Sequence, residues 1–315
     1  MDKSSISKTI LAGSSLRFHY SHSMMHDKDR QRHQEHIAGN FSKLSSYWRD
    51  IYSSPIEGDL FYHHEAMKKR KQAVLDFVDL YAAGRKLKIL DAGCGPGMIM
   101  ESLIQRGHIV YAIDVTEDMV KETAAMISKY PNCNATVKSG SIEDIDFNDH
   151  SFDLCICIGV LQYLKDDALA LQELSRVVSP GGHVIISIPN MARVTTLFDP
   201  YYYVSRLPLY IMHKVIKPKD THDSLDSKDI SRNLTFNNRR YLWGQLDPLF
   251  EVNKLDVCGT RSINYGPLTF WQKEYLPRSI SLSMSRKLEQ LVIRKGCSLL
   301  QRIADRWVIA LQKKY

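Results

Sequence analysis

A chain of 315 residues, 44% hydrophobic and 24% charged, can bury a large core without staples and fits one large domain with appendages. No apolar run approaches the roughly 20 residues that cross a bilayer, and no secretory pattern opens the chain. The six cysteines form neither a two-residue-spaced pair nor a Cys/His zinc pattern, so the expectation is a reduced, cytoplasmic protein. The formal net charge of +7 is local. Residues 272–315 hold ten Lys/Arg against three acidic residues, which predicts one basic surface, not a basic protein.

Residues 1–40 are polar and rich in Ser and His, and read as a mobile arm. His19, His22, His26, His33 and His36 match no defined metal spacing, so no metal is expected. Residues 41–86 read as an N-terminal helical lid containing the aromatic segment Tyr47-Trp48-Arg49-Asp50-Ile51-Tyr52. From residue 87 strands and helices alternate. Lys88-Ile89-Leu90 is a strand ending at Asp91, followed by a helix from Met98 to about Arg106. Ile109–Ile113 is a strand ending at Asp114, followed by a helix with Thr116 as its N-cap. Ala135-Thr136-Val137 is a third strand. Phe152–Ile158 is a fourth, apolar enough to be buried on both faces. Asp167–Val178 is helical and stops at Pro180-Gly181-Gly182. His183–Ile188 is a fifth strand. Repeated strand–helix units predict an α/β fold, a parallel sheet with helices on both faces, over 87–190. Residues 191–233, with Phe198, Tyr201, Tyr202, Tyr203 and Tyr210, read as an aromatic cap insertion. The core continues over 234–261, with a helix from Thr235 to Leu249 and a strand from Phe250 to Val257. Residues 262–304 form a basic helical insertion, and 305–315 a closing strand.

The turn after the first strand concentrates the chemistry. Gly93, Gly95 and Gly97 stand at alternate positions in Asp91-Ala92-Gly93-Cys94-Gly95-Pro96-Gly97, where the backbone can bend sharply and approach a ligand. The following helix N-terminus offers N–H groups to a carboxylate, and Asp91 can accept from an ammonium. Together they suit an amino-acid moiety. A dinucleotide fingerprint needs a third glycine where this chain has Met98. Asp114, at the second strand end, can accept both hydroxyls of a ribose, and Val115 and Met119 could sandwich an adenine.

These residues carry a resemblance to the class I S-adenosylmethionine-dependent methyltransferase family, in its small-molecule, type 11-like branch. The likeness is close from about Arg70 to Asn190 and loose from Thr235 to Leu311. Its motifs are Ile89–Gly97, Asp114–Val120, Ser139–Asp144, Phe152-Asp153 through Gly159–Leu164, and Glu173–Gly182, in family order. The resemblance implies a Rossmann-like, doubly wound, seven-stranded, mostly parallel sheet with helices on both faces and helical cap insertions. It implies S-adenosyl-L-methionine as cofactor, bound by Asp91, Gly93, Cys94, Gly95, Gly97, Asp114, Val115, Met119, Ser141, Ile142 and Ile158. Ser141 stands where the family often has aspartate; its hydroxyl, with the Ile142 backbone, is expected to meet the adenine amino group. Arg70 is a candidate for the cofactor carboxylate.

Methyl transfer from a sulfonium is a direct displacement, so the expected work is alignment, with a base where the acceptor carries a proton. Tyr163, His213, His222 and Tyr201–Tyr203 are base candidates, and the sequence singles out none. The aromatic insertions predict an enclosed apolar cap over a small-molecule or lipidic acceptor. The alternatives are a nucleic-acid methyltransferase, against which the narrow basic region weighs, and a non-catalytic cofactor-binding module. Between Ile280 and Ile303, Met284, Leu288, Leu291, Val292, Leu299 and Ile303 fall near one helical face. The basic 280–303 helix is therefore a candidate for peripheral membrane contact, or for a cap helix packed on the domain.

Overall fold

The computed structural model describes residues 27–43, 61–194, 199–201, 203–204, 239–266, 269–271, 273–274, 276–295 and 298–315. Its frame is a seven-stranded sheet in the order β3-β2-β1-β4-β5-β9-β6. The strands are β1 (Lys88–Ala92), β2 (Ile109–Asp114), β3 (Ala135–Ser139), β4 (Phe152–Ile158), β5 (Val178–Pro189), β6 (Leu255–Ile263) and β9 (Arg306–Lys313). Neighbours pair in parallel except at β9, which is antiparallel to both β5 and β6. A small antiparallel pair, β7 (Thr269–Phe270) and β8 (Lys273–Glu274), stands apart.

The apolar runs become central strands because helices cover both faces. In β4 every residue from Leu154 to Cys157 is buried. On one face, α2 (Phe61–Ala82) and α3 (Met98–Gln105) pack Val74, Phe77, Val78, Met100 and Leu103 against Ile89 and Ile156. On the other, α5 (Asp167–Val177) and α6 (Trp243–Val252) pack Leu171, Leu174, Leu246 and Phe250 against Leu90, Cys155 and Trp307. α4 (Glu117–Ile127) follows β2, and its Met126 joins the first of these clusters.

The strand order reverses between β1 and β4, and at such a switch point the carboxyl ends of adjacent strands open a crevice. Asp91, near the end of β1, and Ile158, the last residue of β4, flank it. Asn190, fully buried just beyond β5, ties the later insertion to this end of the sheet. Its side-chain amide donates to the carbonyls of Arg302 and Ala304, each at 2.7 Å.

Several boundaries differ from the sequence expectation. β5 starts at Val178 and not at His183, because Val178 pairs with Phe152 of β4, so Pro180-Gly181-Gly182 lie within the strand. The last third of the supposed mobile arm belongs to α1 (Asp27–Ser42), a helix whose low mean hydropathy concealed it. Within the 41–86 segment, Phe41 and Ser42 belong to α1, and Phe61–Ala82 form α2, a helix whose Val74, Phe77 and Val78 enter the core. The helix expected over Thr235–Leu249 spans Trp243–Val252, and its strand starts at Leu255. Tertiary bonds hold the preceding residues extended: the Tyr241 amide donates to the Pro189 carbonyl at 3.1 Å and the Tyr241 hydroxyl to Asp167 at 2.8 Å. Thr116 does precede α4, but its side chain makes no capping bond.

The basic segment forms α7 (Arg278–Lys295) and α8 (Ser298–Arg302). Leu288, Val292 and Ile303, expected on a membrane-facing stripe, pack inward around Val194, Tyr265 and Ala304. Leu291 and Leu299 remain exposed, with Ile280. No helix among the described residues is long and apolar enough to cross a membrane.

Candidate functional site

A cavity of about 230 Å³ lies at the switch point, walled by the ends of β1, β2 and β4, the 140–143 loop expected to meet adenine, and α1. All the sequence-nominated cofactor residues line it except Gly97. Gly97, at φ +80, turns its Cα toward Thr123 and Met126 of α4, where a Cβ would stand 2.9 Å from the Met126 Cε. The position is closely packed behind the turn.

The glycine turn is held by its own amides. Gly93 and Cys94 donate to the Ile113 carbonyl at 2.8 and 3.1 Å, and Gly97 to that of Cys94 at 3.2 Å. Gly95 donates to Asp114 Oδ2 at 2.9 Å. These amides are thus spent within the turn. The helix N-terminus expected to meet a ligand carboxylate is the first turn of α3, whose Met98 and Ile99 line the cavity and whose leading amides have no intrahelical acceptor. Arg70 of α2 is also in the wall, buried, with its Nη1 so close to Gly159 that a Cβ there would stand at 2.9 Å.

Asp114 accepts twice from backbone, its Oδ1 taking the Thr116 amide at 2.9 Å. Burial raises its pKa, and the two backbone bonds oppose the rise. Asp91 is less compensated. It is 2% exposed, and its Oδ2 has no hydrogen-bond partner. Burial, then the nearby Asp114 charge, push its pKa up to about 7. Burial and the same two carboxylates raise the Cys94 thiol well above its ordinary value, so it stands neutral in the wall.

An orphaned buried carboxylate oxygen costs free energy until a donor meets it. A ligand ammonium is the matching group for Asp91. Gly93 beside it is closely packed: a Cβ there would stand 2.3 Å from Val160 Cγ2. The residues present therefore fit an amino-acid moiety linked to a ribose and a purine.

α1 closes the cavity and was missed in the sequence. His33, Gln34, Ile37 and Phe41, roughly one helical turn apart, form its inner face. His33 Nε2 bonds the Tyr163 carbonyl at 2.9 Å, and Phe41 meets the Tyr163 ring edge-on at 5.2 Å. Ser42 donates to Asp118 of α4. Gln34 Nε2 donates to Ser141 Oγ at 2.8 Å and to Glu143 Oε2 at 2.7 Å. The i, i+4, i+8 spacing of His33, Ile37 and Phe41 was the signal available. Glu143, Gln162 and Arg306 are further wall residues not foreseen.

Of the base candidates, Tyr163 lines the cavity. Tyr201 instead packs edge-on against Trp271 at 6.1 Å, and Tyr203 is exposed. Tyr202, Tyr210, Phe198, His213, His222 and the Tyr47–Tyr52 segment lie outside the described residues, as do His19, His22 and His26. Among the described residues no cluster of His, Cys, Asp and Glu could hold a metal ion.

The chain is similar to known methyltransferases. The family described as "Methyltransferase domain" matches residues 90–186. A ubiquinone biosynthesis O-methyltransferase of Hahella chejuensis is 30% identical over 207 residues, covering 64% of this chain and 75% of its own. A malonyl-[acyl-carrier protein] O-methyltransferase of Erwinia billingiae is 41% identical over 108 residues, 34% of this chain and 41% of the relative. Among solved structures, a magnesium protoporphyrin IX methyltransferase from Synechocystis PCC 6803 with bound S-adenosylhomocysteine superposes with a TM-score of 0.56. It is 14% identical, over 88% of this chain and 98% of that one, and speaks for the fold.

Proposed function

Because the chain belongs to the class I S-adenosylmethionine-dependent methyltransferases, we propose that it methylates a hydroxyl oxygen of a small, largely apolar or lipid-linked acceptor held under α1. The observation that carries the acceptor reading is the cavity wall beyond the cofactor residues. Ile37, Phe41, Met67, Val160 and Leu164 make it apolar, while His33 and Tyr163 supply polar groups. Oxygen as the acceptor atom draws support from the O-methyltransferases among the relatives.

Asp91 would hold the cofactor ammonium, Asp114 the ribose, Val115 and Met119 the adenine faces, and the loop around Ile142 its edge. When bound, the cofactor supplies a methyl group on a positively charged sulfur that an acceptor oxygen can displace in one step. The chain's own contribution is to align the acceptor, to exclude water with α1, and to take up the hydroxyl proton. His33 suits that last task. Its Nε2 faces a carbonyl, which only accepts, so Nε2 donates and Nδ1 is the ring nitrogen turned to other partners.

Incubating metabolite and lipid extracts with cofactor labelled in the methyl group tests the acceptor class. Mass spectrometry should find the label on an oxygen of a small or lipidic molecule. Label appearing only in nucleic acid or protein would overturn the reading.

A second reading concerns where the acceptor is met. Ile280, Leu291 and Leu299 stand exposed beside the exposed Arg286 and Lys287. This combination supports contact of the α7–α8 surface with an anionic membrane.

A further inference from the structure

The adenine loop carries a second buried acceptor without a donor. Glu143 is 6% exposed and lines the cavity, and its Oε1 has no hydrogen-bond partner. Ser141, nominated from its position after Gly140, is already engaged. Its Oγ accepts from Gln34 Nε2 at 2.8 Å and from the Glu143 amide at 3.1 Å. Gln34 also holds Glu143 Oε2 at 2.7 Å. One carboxylate oxygen is thus fixed by α1, and the other is a buried acceptor without a donor on a residue that lines the cavity.

We propose that Glu143, held in place by Gln34, is the residue that reads the exocyclic amino group of the cofactor's adenine, the task the loop's sequence assigned to Ser141. The inference rests on the cavity being the cofactor site. A carboxylate only accepts hydrogen bonds, so Oε1 matches the 6-amino group of adenine, which donates, and opposes a 6-oxo group, which does not. A bond from a neutral donor to an ionised acceptor is also among the stronger kinds. Because Gln34 belongs to α1, the same contact joins base recognition to closure of the cavity.

The test is a binding measurement and needs no acceptor. Calorimetry compares S-adenosylhomocysteine with its analogue bearing a 6-oxo group in place of the 6-amino group. The unsubstituted protein should prefer the amino form by about tenfold or more, the scale of leaving a buried acceptor unmatched. E143Q should narrow or reverse that preference. Gln34 donates toward the Oε2 position, so the new amide keeps its oxygen there and presents its NH2 where Oε1 stood. S141A should lower affinity for both ligands while the preference survives. A preference retained in E143Q, or lost in S141A alone, overturns the proposal. E143D, which withdraws the carboxylate by one methylene, should weaken the preference and serves as the second variant should E143Q not fold. A protein that binds both ligands equally well also overturns it, with no variant required. If neither ligand binds, the cofactor reading of the cavity falls first, which separates the two failures.

Discussion

Asp114 accepts the Gly95 amide at 2.9 Å, so the carboxylate that closes β2 holds the turn that leaves β1. Its other oxygen takes the Thr116 amide, also at 2.9 Å. The residue nominated for the ribose is therefore a structural clamp as well. Each carboxylate oxygen has further lone pairs for a ligand hydroxyl, so the two roles coexist.

Asp114→Ala should accordingly weaken both folding and ligand binding. Two backbone donors lose their acceptor, which costs about 1–3 kcal/mol each when they stay buried. Denaturant unfolding of the ligand-free protein should show a lower midpoint, and calorimetry a weaker affinity for S-adenosylhomocysteine. A variant that loses affinity with an unchanged midpoint would show that the clamp contributes nothing to the fold.

Asp91 predicts a pH dependence. Its folded pKa of about 7 lies above the ordinary 3.8. Between those values the native state binds more protons than the unfolded one. The group's contribution to ligand-free stability is therefore present at low pH and lost as pH rises toward 7. An ammonium beside it favours the ionised form, so ligand binding should expel a proton at and below pH 7. Affinity for S-adenosylhomocysteine should fall as pH drops from 7.5 to 5.5. Calorimetry in buffers of different ionisation enthalpy should report proton release that is absent in Asp91→Asn. Equal heats across buffers at pH 6 would rule this out.

Gly93 separates steric from conformational cost. It sits at φ +78, and a Cβ would stand 2.3 Å from Val160 Cγ2 but 3.4 Å from Val160 Cβ. Gly93→Ala should weaken ligand binding and destabilise the fold. Adding Val160→Ala should recover the steric part and leave the left-handed backbone cost of about 1–2 kcal/mol. Gly95→Ala is the comparison, since a Cβ at Gly95, φ +54, meets nothing within 4 Å. A double-mutant cycle on unfolding free energies measures the coupling. Additive effects at Gly93 and Val160 would refute the clash.

The strands and the switch point were legible because β1, β2, β4 and β5 are apolar runs closed by Asp91, Asp114 and glycines, each a local signal. What escaped was set by distant partners. α1 has almost no apolar residues beyond Ile37 and Phe41, and its packing rests on Gln34 and His33 meeting groups more than a hundred residues away. The start of α6 moved because Tyr241 pairs with β5's end, not because its propensity failed. Spacing cannot say which way a turn faces: Gly97 turns its Cα toward Thr123 and Met126, and no local signal carries that.

The α7–α8 surface yields the last prediction. The stripe read from the sequence is split: Leu288, Val292 and Ile303 are taken up by packing around Tyr265, while Ile280 is 52%, Leu291 41% and Leu299 70% exposed. The residual apolar area is too small to hold a membrane alone, so attraction of the basic residues to anionic lipid must supply the rest, at about 1 kcal/mol for each near the surface. Such a contact is strong at low salt and fades as the Debye length shrinks. The protein should sediment with anionic vesicles at low ionic strength, less so at physiological salt, and not with neutral vesicles. Arg286→Gln with Lys287→Gln should reduce sedimentation without altering S-adenosylhomocysteine binding, because neither residue lines the cavity. Leu299→Ser, a change at the surface, should lower it further. Sedimentation indifferent to salt and to all three substitutions would mean that another surface makes the contact. Absence of sedimentation at low salt would leave α7 and α8 as packing helices that close the end of the sheet.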